Sequence, residues 1–114
     1  LWINYLLFLN LWGGQMIKLE MHESDIIRAI KNTEYSPLQY LASRFFKQDM
    51  RDIDIGPDCI VIWEYEADDY ISYRYCKEDI ENVKNFIDAW EDFKDNKTED
   101  FLENTLTFCV EELK

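Results

Sequence analysis

The side chains of this chain that could do chemistry are mostly carboxylates. Glu64 and Glu66 stand two residues apart, and Asp68 and Asp69 are adjacent. Such pairs can share a proton for acid–base catalysis or hold a divalent cation. With 24 acids in 114 residues, however, pairs of this kind arise from composition alone. The other reactive groups are Cys59, Cys76, Cys109 and the single histidine, His22. No CxxC occurs, and these four lack the paired spacing of a zinc cage, so no metal site is expected. A serine or cysteine nucleophile needs a positioned base. His22 lies in a polar N-terminal stretch without a nucleophile elbow, and no glycine-rich phosphate loop is present. The residue types therefore point away from an enzyme and from any cofactor.

The elements that would position these groups are bounded by composition. A chain of this size can close one hydrophobic core, and 47% apolar with 16% aromatic content sets it apart from disordered sequences despite a net charge of −12. Residues 16–114 read as one domain. An odd number of unpaired thiols fits a reducing, cytoplasmic setting better than a secreted one. The charge is unevenly spread. Residues 16–48 carry five bases and four acids, whereas residues 49–114 carry seven bases and twenty acids. A field of that sign repels nucleic acid and anionic membranes, and it accelerates encounter with a basic protein.

Residues 1–15, "LWINYLLFLNLWGGQ", contain no charge and precede Met16. The apolar run of about a dozen residues is too short to cross a bilayer and lacks the basic start of a secretory signal. It is read as translated leader ahead of Met16, with a membrane-associating, partner-binding or disordered arm as the alternative.

Beyond Gly14 only Gly56 remains, and the prolines are Pro37 and Pro57. So little turn punctuation predicts a mainly α fold, a compact bundle of four to five helices. Ser24 can cap a short helix carrying Ile26, Ile27 and Ile30. Ser36-Pro37 is a helix start, and Leu38, Leu41, Ala42 and Phe45 follow on one face. Lys77-Glu78-Asp79 opens a third helix with the stripe Ile80, Val83, Ile87 and Trp90. Thr98 can cap a fourth, buried through Leu102, Leu106, Cys109 and Leu113. Cys59 to Tyr75 admits two readings. Its β-branched and aromatic content allows a hairpin turning at Asp68-Asp69. That turn lacks glycine, and Ile60, Trp63, Ala67, Tyr70 and Ile71 form a helical stripe after Gly56-Pro57-Asp58, so helix is preferred.

What composition favours is a binding protein. Aromatic side chains interleaved with acids suit an interface with a basic partner, and the candidate contact residues are Asp58, Glu64, Tyr65, Glu66, Asp68, Asp69 and Tyr70. A stretch upstream adds a resemblance. "YSPLQYLASRFFKQDM", Tyr35 to Met50, resembles the start of small immunity proteins of bacterial contact-dependent growth inhibition systems, in which a leucine-bearing helix runs into paired aromatics and then Gln-Asp. Leu38, Leu41, Phe45, Phe46, Gln48 and Asp49 match. Lys47 and Met50 depart from the histidine and aromatic common there. "YCKEDIENVKNFIDAWEDF", Tyr75 to Phe93, is similar to that family's next helical segment. The resemblance implies a cytoplasmic antidote, monomeric or weakly dimeric, that binds the C-terminal domain of a toxin, often a nuclease, and blocks it. It also implies helix between Asp49 and Glu78. Gln48 and Asp49 are expected to close a helix and its following turn, with Phe45 and Phe46 in the core. The alternative function is an acidic regulator, or nucleic-acid mimic, that sequesters a basic host protein.

Overall fold

The structure, a computed structural model, describes residues 16–96 and 105–113. Strand β1 (Met16–Glu20) leads to helices α1 (Glu23–Lys31) and α2 (Pro37–Phe46), then a 3-10 turn at Met50–Asp52 and strand β2 (Ile53–Ile55). Strands β3 (Cys59–Glu64) and β4 (Asp69–Tyr75) follow, then a 3-10 turn (Lys77–Asp79) running into α3 (Ile80–Asn96), and finally β5 (Thr107–Leu113). The strands form one five-stranded antiparallel sheet in the order β1-β5-β4-β3-β2.

The fold is therefore α+β, which corrects the expectation of a mainly α bundle of four to five helices; three α-helices occur among the described residues. The core shows why. Along the strands burial recurs at every second residue: Ile60 and Ile62, Tyr73 and Tyr75, Phe108 and Val110. The register stacks these positions, with Leu19 opposite Phe108, Val110 opposite Tyr75, and Ile60 opposite Tyr73. All three helices cover this face, α1 through Ile26 and Ala29, α2 through Leu38, Leu41 and Ala42, and α3 through Val83, Phe86 and Trp90. The result is two layers, with the other sheet face uncovered by any described helix.

Cys59 to Tyr75 is the β3–β4 hairpin, not a helix. The stripe Ile60, Trp63, Tyr70 and Ile71 joins residues of both sheet faces, since Ile62 pairs with Ile71 while Trp63 pairs with Tyr70. Both faces are apolar, so a two-residue period and a helical period coexist in one segment. The turn needs no glycine because Asp68 takes the left-handed conformation itself, at φ 50°, with its N–H donating to the carbonyl of Tyr65 at 3.3 Å. A short polar side chain tolerates that region better than a β-branched one. Asp68→Gly is accordingly expected to leave stability unchanged or raise it slightly, and Asp68→Val to cost about 1–2 kcal/mol, both read by urea denaturation. Gly56-Pro57-Asp58 is the β2–β3 turn rather than a helix start. The Gly56 N–H donates to Cys59 O at 2.9 Å, and Tyr75 Oη donates to Gly56 O at 2.9 Å.

The proposed fourth helix is also overturned where it can be seen: Thr107–Leu113 is β5, and Thr98 and Leu102 lie outside the described residues. Local capping signals fared better. Ser36 Oγ accepts from the Gln39 N–H at 3.3 Å while Gln39 Oε1 accepts from the Ser36 N–H at 3.0 Å, and Pro37 is the first helical residue. In α1 the cap falls on His22 instead of Ser24, and the His22 N–H donates to Asp25 Oδ2 at 2.9 Å.

The Gln-Asp step is a turn device. Lys47 takes the left-handed conformation (φ 56°), and Ser43 Oγ donates to Gln48 O at 2.6 Å. Asp49 caps the following 3-10 turn by accepting from the Arg51 N–H at 3.0 Å. The aromatic pair is divided differently from the expectation. Phe45 is 43% exposed, and Phe46 packs against Tyr73 with ring centroids 4.6 Å apart.

Candidate protein-interaction surface

The alternation that buries Ile60 and Ile62 turns Val61 and Trp63 to the open face. Trp63 stands directly opposite Tyr70 on β4, and the rings meet edge to face at 4.7 Å. Tyr65, at the start of the turn, approaches the same indole at 6.3 Å and 89°. Tyr65 and Tyr70 are 67% and 63% exposed, large values for aromatics on an ordered hairpin. Together the three rings make an aromatic end to the hairpin.

Carboxylates surround it. Tyr65 Oη donates to Asp52 Oδ1 at 2.9 Å, and this bond, with the carboxylate's charge, holds the phenol above the usual tyrosine range. Beside it Arg51 is clamped by Asp49, through Nε at 3.3 Å and Nη2 at 3.1 Å. That clamp lowers the Asp49 carboxyl below its ordinary value. On the edge strand Asp54 pairs with Val61 and is exposed. Arg51, Asp52, Ile53, Asp54, Val61, Trp63 and Tyr70 line an open depression of about 520 Å³.

Most residues expected at an interface meet at this end of the molecule, though not on one face. Tyr65, Glu66, Asp68, Asp69 and Tyr70 form the turn and its flank, all exposed. Asp69 lies opposite Glu64 and accepts from the Tyr70 N–H through its own side chain at 2.7 Å. Glu64 follows the parity of Ile62 and points to the helical layer, where Gln48 Nε2 donates to it at 3.4 Å. Asp58 is separated from the rest. It precedes β3, whose six residues span about 20 Å, and it sits 3.9 Å from Lys84 Nζ. Trp63, Asp52 and Asp54 were missed as contact candidates. Ile60 to Trp63 are all apolar, so no alternation marks a face; only the two-residue period of a strand, once a strand is assumed, puts Val61 and Trp63 together, and no local signal brings Asp52 and Asp54 beside them.

Comparison with protein-family models, with curated proteins and with solved structures gives no match to this chain. The surface must therefore be read from its own chemistry. Among the described residues no three His, Cys, Asp or Glu side chains are placed to hold a metal ion. Cys76 is buried beside Cys109, and burial above all pushes its thiol up to about 11, so little thiolate exists near neutrality.

That shift carries a stability consequence. Below the ordinary thiol value near 9, Cys76 is neutral in both the folded and the unfolded chain, and it costs nothing. As pH rises from 9 to 11 the unfolded chain ionises first, so stability falls by up to roughly 2 kcal/mol. Tyr75, whose phenol burial raises as well, continues the loss at higher pH. Denaturation at pH 8, 9.5 and 10.5 should show the decline, and Cys76→Ala should flatten its first part.

Proposed function

We propose that this chain is a binding protein that neutralises a cognate polymorphic toxin domain, and that the hairpin end of its open sheet face makes the contact. The observation that carries the reading is the cluster of half-buried Trp63 with exposed Tyr65 and Tyr70 on a face without a covering helix, with Asp52, Asp54 and the turn acids Glu66 and Asp68 around it. Aromatic anchors supply affinity at interface centres, while a rim of one charge speeds and orients encounter with the opposite charge. A nuclease domain offers that opposite charge at its phosphate-binding surface, so an acidic antidote can occupy the substrate's place. The toxin itself enters through the resemblance of Tyr35 to Met50 to immunity proteins of contact-dependent growth inhibition systems. That resemblance also implied helix across residues 59–75, which the hairpin replaces, so the surface chemistry bears the greater weight. No helix among the described residues is long and apolar enough to cross a membrane.

The deciding experiment is growth of cells producing a polymorphic toxin domain encoded beside this gene, with and without residues 16–114. Rescue accompanied by a one-to-one complex on gel filtration is expected. Reversing Glu66 and Asp69 to lysine should slow association and flatten its salt dependence without unfolding the protein. A soluble product that neither rescues nor binds the toxin would refute the reading, and would favour an acidic regulator of a basic host protein.

A further inference from the structure

The depression beside the aromatic cluster has a chemistry narrower than general acidity. We infer that it is a receptor for one arginine side chain projected by a basic protein partner, an inference that rests on reading the chain as a binder of such a protein. Its floor is apolar, made by Val61, and one wall is the Trp63 indole braced at 4.7 Å by Tyr70; the Ile53 side chain pairs with Ile62 and is buried in the core on the other face. Its rim carries Asp54, opposite Val61 on the edge strand, and Asp52 from the 3-10 turn that precedes it. An arginine has the matching parts in the matching order. Its aliphatic stem covers Val61, its guanidinium plane stacks on the indole, and its outward N–H groups meet carboxylates.

The charges close in favour of a cation. Arg51 also lines the depression, but its guanidinium is held by both oxygens of Asp49. Asp52 accepts a hydrogen bond from the neutral Tyr65 hydroxyl and feels the charge of Arg51, which Asp49 already neutralises, and Asp54 forms no ion pair among the described residues. Two carboxylates thus remain uncompensated around an apolar floor, an arrangement that excludes phosphate and favours a donor-bearing cation. Arginine is preferred over lysine because a planar fork can stack and bond to two carboxylates at once, while an ammonium is a more strongly hydrated point charge. Two rings meeting edge to face do not form the closed cage that takes a methylated lysine, whose head offers fewer donors.

The probe is a synthetic nine-residue peptide carrying three arginines, compared with otherwise identical lysine and citrulline peptides. Binding to the full chain is followed in a two-dimensional NMR spectrum through the Trp63 indole N–H and through the backbone N–H groups of Val61 and Tyr70, which remain when Trp63 is replaced. Saturable movement of those signals is expected, with the arginine peptide at least threefold tighter than lysine and at least tenfold tighter than citrulline. Asp54→Asn and Trp63→Leu should each weaken the arginine peptide about tenfold, and Asp88→Asn, on the exposed side of α3, should not. Equal affinity for lysine and arginine, or indifference to both Asp54→Asn and Trp63→Leu, would overturn the inference. The two readings fail separately. Toxin rescue undiminished in Asp54→Asn and Trp63→Leu proteins would remove the arginine receptor and leave neutralisation standing. Arginine binding with no rescue would remove the toxin and keep the receptor.

Discussion

Replacing Arg44 by alanine is expected to cost about 3–5 kcal/mol, a large part of the stability of a domain this size. Asp25 is fully buried in the first turn of α1. Its two oxygens accept from Arg44 Nε at 3.2 Å and Nη2 at 2.8 Å, and also from the His22 N–H at 2.9 Å. Arg44 Nη2 further donates to Glu20 O at 3.0 Å, so one guanidinium ties the end of β1, the start of α1 and the end of α2. Arg44 is partly exposed, and its bonds to Asp25 outweigh its desolvation, which raises its pKa.

The asymmetry of burial sets the order of effects. Without Arg44 the Asp25 carboxylate stays interred with one remaining donor, whereas without Asp25 the guanidinium can turn to water. Arg44→Ala should therefore destabilise more than Asp25→Ala, and the double variant should lose less than the sum. Urea denaturation at pH 7 of the four proteins measures this directly. A cost for Arg44→Ala under 1 kcal/mol would mean that solvent reaches Asp25 and that the junction is not dry.

The second large effect separates strand from helix at the C-terminal end of the chain. Phe108→Ala is expected to cost about 3–5 kcal/mol, and Leu113→Ala less than about 1 kcal/mol. Phe108 is 1% exposed, lies opposite Leu19, and meets the Tyr75 ring edge to face at 5.7 Å. Leu113 is 42% exposed at the end of the same strand. A helix buried through Leu106, Cys109 and Leu113 demands the reverse order, with Phe108 on its solvent side. Because β5 lies between β1 and β4, opening space at Phe108 affects both pairings. The loss should consequently be cooperative, appearing as one shifted transition in circular dichroism and in tyrosine fluorescence.

Helix signals were legible where they are local. The reciprocal bonds of Ser36 and Gln39 need no residue outside that turn, and the stripe Val83 to Trp90 finds its buried face within one helix. Strands offered no such closure. Ile17 meets Val110, and Tyr75 meets Val110 from the other side. No window of the sequence contains those partners. Phe45 and Phe46 show the same limit at the scale of one residue, since only the docking of the helix on the sheet decides that Phe46 meets Tyr73 while Phe45 is exposed.

The amino-acid sequence alone determined the acidity of residues 49–114, the Ser36 cap of α2, the buried positions Val83 and Trp90 of α3, and the density of aromatics among acids near the hairpin. These are properties of composition and of contacts within a few residues. Tertiary structure decided that residues 59–75 are two strands, that Trp63 joins Tyr65 and Tyr70, and that Glu64 and Asp58 leave their company. Apolar residues on both faces of a hairpin carry no mark of which face the helices will cover. The free energy of burying Ile60, Ile62, Tyr73 and Tyr75 against all three helices makes that choice, and it leaves the opposite face open.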